Sequence, residues 1–252
     1  MFAEYEIFEK IKKNENAKIW RYMDLAEFLS LLVNKSLYFK RSDKFEDPFE
    51  GSSPKLNVEF VGRSDFLKKI RKYVAISCWH INENESAAMW KLYTKGNSGI
   101  AVQSTYKRLV DSFSVCNEKP EVGVVQYIDF QKEYSPFVNL SKLMEGRNRF
   151  YQFVYKRKSF AHENELRALI SKLTINAKGE FDFSEDLICH GIPVKIKIHT
   201  LIEKIFICPD PDPDHNATSW LTKLIKSIAK KCGVDDSEIP IKRSSIADDP
   251  IY

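Results

Sequence analysis

Glu163-Asn164-Glu165-Leu166-Arg167-Ala168-Leu169-Ile170 is the stretch on which the reading of this chain turns. Read as a strand, it alternates its side chains between two faces, so Glu163, Glu165 and Arg167 share one face. Asn164, Leu166 and Ala168 then lie on the other. Carboxylates and a guanidinium in a row are costly to bury. Either the pair serves chemistry, or it forms surface ion pairs with Arg167, Lys156 and Lys158 contributing about 0–1 kcal/mol.

The rest of the chain supplies further strands and helices. Lys18 to Tyr22 reads as a strand, and Asp24 with Glu27 forms a capping box for a helix carrying Phe28, Leu31 and Leu32. Leu37 to Phe39 is a second strand. Phe66, Leu67, Ile70 and Tyr73 suggest a helix that leads into the strand Val74 to Trp79. Glu85 to Tyr93 reads as a short helix, Gly99 to Gln103 and Val122 to Ile128 as strands, and Leu140 to Tyr155 as a helix. Pro193 to Ile198 alternates strictly, Lys204 to Cys208 is apolar, and both read as strands. From Ala217 to Lys231, Trp220, Leu221, Leu224, Ile225 and Ile228 line one face of an amphipathic helix with a lysine-rich outer face.

Strands and helices mix without a regular βαβ alternation, and no repeat or long linker is visible. The expected fold is a single α+β domain over residues 1–252, with a mixed, largely antiparallel sheet flanked by helices and a C-terminal helix and strand at 216–246. A hydrophobic content of 43% and an aromatic content of 13% over 252 residues suit a packed core. A formal charge of +4, from 39 basic and 35 acidic residues, gives no whole-chain case for nucleic-acid binding. The acidic start Met1-Phe-Ala-Glu-Tyr-Glu6 and five scattered cysteines read as a cytoplasmic protein without disulfides. No apolar run is long enough to span a membrane.

Other constellations carry less. Phe45-Glu-Asp-Pro-Phe-Glu-Gly51 reads as a rigid turn with Phe45 and Phe49 in the core and its carboxylates solvated. Trp90 and Tyr93, ahead of Gly96 and Gly99, could flank a flat ring. Asp210-Pro-Asp-Pro-Asp214 lacks the glycine and glutamate of a calcium loop, and no cysteine or histidine pair has zinc spacing, so no metal is expected. Arg147, Arg149, Lys156, Arg157 and Lys158 form a basic cluster, read first as a solvated helix face.

Ile19-Trp-Arg-Tyr22, Leu37-Tyr-Phe39, Phe45-Glu-Asp-Pro-Phe-Glu50, Ile76-Ser-Cys-Trp79, Met89-Trp-Lys-Leu-Tyr93 with Gly99, Tyr127 and Glu163-Asn-Glu-Leu-Arg167 occur in this order over most of residues 18–210. In these segments the chain resembles the bacterial domain of unknown function 2971 family. That resemblance implies no activity. A second resemblance is to ADP-ribosyltransferases of the arginine–serine–glutamate type, and it implies a fold like theirs. It assigns Arg21 to the NAD phosphate or ribose, Ser77 to the nicotinamide ribose, Glu165 to catalysis and Glu163 to acceptor activation. The chain departs from that pattern in having Ile76-Ser77-Cys78 where those enzymes carry Ser-Thr-Ser, and in Arg167 following the glutamates.

The resemblance implies cleavage of the nicotinamide–ribose bond, with ADP-ribosyl transfer or NAD hydrolysis, in a bacterial toxin or a phage-defence effector. A carboxylate would stabilise the oxocarbenium-like transition state. Tyr22, Trp79, Trp90, Tyr93 and Arg167 would contact NAD, the small-molecule nucleotide that serves as substrate, and the acceptor would be protein or nucleic acid. Two other readings stand beside it. One is a non-catalytic sensing or partner-binding module using the Phe45–Glu50 turn, Trp90 and Arg149. The other is a nucleic-acid-acting protein using Arg147, Arg149, Arg157 and Lys158, with Glu163 and Glu165 as metal-binding carboxylates.

Overall fold

Alternating apolar runs separated by short polar turns fold here into strands that pair mostly antiparallel, giving an α+β fold. The computed structural model describes residues 8–9, 11–55, 64–94, 96–133, 148–178, 180–184, 187–210 and 216–246. In chain order the strands are β1 (Lys18–Met23), β2 (Ser36–Arg41), β3 (Val74–Ile81), β4 (Ile100–Thr105), β5 (Glu121–Val124), β6 (Gln126–Ile128) and β7 (Tyr155–Arg157). They continue with β8 (Glu165–Ser171), β9 (Thr174–Ile175), β10 (Phe181–Asp182), β11 (Gly191–Lys195), β12 (Lys204–Ile207) and β13 (Ile241–Arg243). The chain divides into two compact units, the first made of Met1–Lys13, Tyr38–Cys78 and Asn117–Val194, the second of Asn14–Leu37, Trp79–Cys116 and Lys195–Tyr252.

In the first unit β8 is the pivot. It pairs with β3 and lies antiparallel to β5, with Gly123 opposite Arg167 and Val124 opposite Leu166. β2 is antiparallel to β3, and β6 runs parallel to β7 with Tyr127 opposite Lys156. Ile76, Phe150, Phe153, Val154 and Leu169 are buried in one apolar cluster, against which Phe45 and Phe49 pack. Each such side chain taken out of water contributes about 1.5–3 kcal/mol, which is what holds these short strands together.

The second unit is built on β1 and β4, antiparallel over their whole lengths, with β12 antiparallel to β4 and β13 parallel to β12. β4 is buried along all six residues. Asp24 caps the helix Leu25–Asn34 by accepting from the Glu27 amide at 2.8 Å, which satisfies one of the helix's orphan donors. The helix Asn216–Lys231 buries Leu221, Ile225 and Ala229.

Four local expectations change. Val122–Ile128 is two strands, because Val125 still bonds the Glu165 carbonyl in the register of β5 and β8, whereas the next amide, Gln126, turns to the Val154 carbonyl beside β7. The helix expected near Leu140–Tyr155 lies partly outside the described residues; within them Asn148–Phe153 is a 3-10 turn and Tyr155 opens β7. The alternation at Pro193–Ile198 ends early, since Ile198 starts the short helix Ile198–Leu201. Trp220, expected on the apolar face of the C-terminal helix, is 53% exposed.

Candidate functional site: a buried ionic cluster in the first unit

The carboxylates of the Glu-x-Glu motif meet, but not by strand alternation. Glu163 closes the 3-10 turn Lys158–Glu163, Asn164 takes a left-handed conformation (φ 39°), and β8 begins only at Glu165. Asparagine tolerates that conformation better than most residues. The two carboxylates converge because Lys156, at the centre of β7, reaches both. Its Nζ donates to Glu163 Oε2 at 2.5 Å and to Glu165 Oε1 at 2.6 Å, and lies 3.4 Å from Glu50 Oε1.

Arg167 follows Glu165 on the same face of β8, as alternation requires, and donates from Nε to Glu165 Oε2 at 2.6 Å. Its Nη1 and Nη2 grip both oxygens of Glu50, and Nη1 also donates to the Phe153 carbonyl at 2.8 Å. Both oxygens of Glu165 are therefore occupied by cations, and its amide donates to the Tyr127 hydroxyl. The expectation of exposed strand carboxylates forming surface pairs is corrected: Arg167 is 0%, Glu50 2%, Glu165 4% and Glu163 7% exposed.

The acidic turn is likewise not solvated. Asp47 accepts from Arg157 Nη2 at 2.8 Å while Glu50 takes Arg167, so two arginines clamp the turn and Glu46 alone of its three acids stays exposed. Gly51 follows with φ +65°, where a Cβ would come within 2.5 Å of Phe153.

Three carboxylates (Glu50, Glu163, Glu165) face two cations (Lys156, Arg167) in this core. Burial raises the proton affinity of Glu165, but Arg167, Glu163 and Lys156 more than reverse this and hold it ionised, well below the usual carboxylate range. Glu163 goes the other way: desolvation first, then a hydrogen bond and repulsion from Glu165, push it up to about 8. Burial works against the charges of Arg167 and Lys156, yet Glu165 leads the groups that keep both firmly protonated. Burial, then Glu165, raises the Cys78 thiol and the Tyr127 hydroxyl.

The remaining expected site residues fall elsewhere. Cys78 feels the cluster's charges from β3, so Ser77, its neighbour on an alternating strand, projects from the other face. Arg21, Tyr22, Trp79, Trp90 and Tyr93 belong to the second unit. Within it, Arg21 and Tyr22 project from opposite faces of β1. Tyr22 stacks on Trp20, meets Trp90 edge-on at 5.0 Å and accepts from the Ser86 amide. Trp90 donates to Glu85 at 3.1 Å, Trp79 is 2% exposed, and Tyr93 is 48% exposed. These local bonds account for Tyr22 and Trp90 as core, while Trp79 is core by burial, its Nε1 without a hydrogen-bond partner among the described residues.

Of the basic cluster, Arg147 lies outside the described residues, Arg149 covers the Phe150 ring, Arg157 is held by Asp47 and sits 4.5 Å over Phe49, and Lys158 pairs with Glu133. Asp210 accepts from the Thr218 amide and hydroxyl, and the rest of the Asp210–Asp214 motif lies outside the described residues. Among the described residues there is no group of three or more His, Cys, Asp or Glu placed to hold a metal ion, and no helix long and apolar enough to cross a membrane.

Sequence reasoning missed Lys156 as the hub and Glu50 as the partner of Arg167. A signal was present: Arg167 stands inside Leu-Arg-Ala-Leu-Ile, an environment that buries it, and a buried guanidinium needs a buried carboxylate. No protein-family model, curated protein or solved structure matches the chain.

Proposed function

We propose that the chain is a non-catalytic partner-binding module, with the Glu-x-Glu-x-Arg motif serving as the ionic keystone of the first unit. One observation carries this reading: both oxygens of Glu165 are taken by Lys156 and Arg167 inside the core. A carboxylate that stabilises an oxocarbenium ion must present negative charge to it. Here that charge is already matched by two cations. Arg167 is spent in the same way on Glu50 and Glu165, which leaves it no donor fork for a pyrophosphate.

A second reading is favoured by a different observation. Glu163 holds its proton up to about 8 beside an ionised Glu165, and two carboxyls with separated affinities are the pattern of an acid–base pair. It supports the NAD-cleaving enzyme, in which Glu163 would activate an acceptor. One assay separates the two. Purified protein is incubated with NAD and nicotinamide release is followed for wild type, Glu163→Gln and Glu165→Gln. The module reading expects no release from any of them. Release by wild type overturns it in favour of the enzyme, and the loss of that release in folded Glu165→Gln would mark the catalytic carboxylate.

A further inference from the structure

The helix Asn216–Lys231 carries Lys223, Lys226, Lys230 and Lys231 and no acidic residue, a formal charge of +4 that equals that of the whole chain. Its apolar stripe is consumed by the core of the second unit, where Leu221, Ile225 and Ala229 are fully buried. Trp220, Lys223, Ser227, Lys230 and Lys231 stand at i, i+3, i+7, i+10 and i+11 and so share the opposite face. All five are exposed. Next to this helix, β13 adds exposed Lys242 and Arg243.

The bland account of such a face is solvation, with Lys230 and Lys231 settling the helix C-terminus and Lys226 paired to Asp236 at 2.8 Å. It does not account for Trp220. Trp20, Trp79 and Trp90 are 2–3% exposed, whereas Trp220 is 53% exposed and lies in line with the lysines. An indole amid cations, with no acid on the helix, matches a strand that offers a flat base and phosphates together. An anionic membrane fits less well, because the apolar face that would have to insert is already buried.

We propose that this face of the second unit binds single-stranded nucleic acid, Trp220 stacking on a base while Lys223, Lys230 and Lys231 neutralise phosphates. This names a partner for the module reading and rests on it. The two fail separately: nicotinamide release overturns the module, and the experiment below overturns the surface.

A short fluorescein-labelled oligothymidylate is titrated with the full chain at low salt, reading anisotropy and tryptophan quenching. Quenching reports on Trp220, since the other three tryptophans are buried. Binding is expected to quench the emission. Trp220→Ala should weaken it about 5- to 100-fold and Trp220→Phe far less. Lys223→Gln with Lys230→Gln should lower the log–log salt slope by roughly 0.7 for each phosphate that is no longer neutralised. Unchanged melting of these surface variants shows that folding is not the cause. Three outcomes overturn the proposal: no binding at low salt, equal binding by Trp220→Ala, or protection of Trp220 by phosphatidylglycerol vesicles but not by the oligonucleotide.

Discussion

Glu50 and Arg167, 117 residues apart in sequence, meet through two parallel hydrogen bonds of 2.7 and 2.8 Å in the core of the first unit. The pair fastens the Phe45–Gly51 turn to β8, while Glu165 and the Phe153 carbonyl take the remaining reach of the guanidinium. Geometry of this kind is specific because both planar groups are fixed by it.

Arg167→Met is expected to destabilise the chain by about 3–5 kcal/mol, since it leaves Glu50 and Glu165 buried without their main counter-charge. Urea titration measures this as a fall in midpoint at similar slope. A loss below about 1 kcal/mol would mean that the cluster is wetter or more yielding than its burial implies.

Gly51→Ala strains the same turn from its other end. The left-handed φ alone costs an L-residue about 1–2 kcal/mol, and the new Cβ would stand 2.5 Å from Phe153, whose carbonyl holds Arg167. The combined loss should exceed that figure in thermal melts. Wild-type stability in Gly51→Ala would show that the turn re-forms around the methyl.

The architecture was largely legible in the sequence and the cluster was not, for a physical reason. β1, β3 and the helices at Leu25 and Asn216 announce themselves by period and caps, which are local properties of the chain. The Asp24–Glu27 capping bond forms as its spacing suggested. The meeting of Glu50, Lys156 and Arg167 is set by tertiary packing between segments about a hundred residues apart, which no local period encodes. Even the Glu163–Glu165 convergence has another origin than the strand alternation that the spacing suggests: the left-handed Asn164 and the reach of Lys156 produce it. Trp220 misleads because it adjoins the buried Leu221 in sequence, whereas one helical residue turns the chain by about 100° and carries the indole to the lysine face.

The cysteines should differ sharply towards a thiol reagent. Cys189 is exposed with its sulfur 3.0 Å from His190 Nδ1, whereas Cys78 is packed against the core with its thiol pushed up by burial and then by Glu165. Thiolate is the reactive form. Ellman's reagent should label Cys189 rapidly in native protein and Cys78 only after denaturant is added. Cys189→Ser should abolish the rapid phase; a rapid phase persisting in that variant would assign it to another thiol.

Glu163 gives the chain a pH dependence with a definite sign. Its folded-state affinity is raised from 4.5 to about 8, so between these values the native state binds the proton and the unfolded chain does not. A raised value contributes stability that is fully present below the unfolded pKa and is lost as pH rises through the folded one. Stability should therefore fall across this window, by at most about 1.4 kcal/mol per pH unit. Glu165 is held low, so its own contribution is lost only at more acidic pH, and the Cys78, Tyr127 and Lys156 shifts act above the window. Glu163→Gln, neutral at every pH, should flatten the profile, and near the top of the window it should be more stable than wild type. Urea midpoints for the two proteins across the window decide the matter. Parallel curves would show that Glu163 is ionised throughout, and that Lys156 and Arg167 carry three carboxylates without a proton's help.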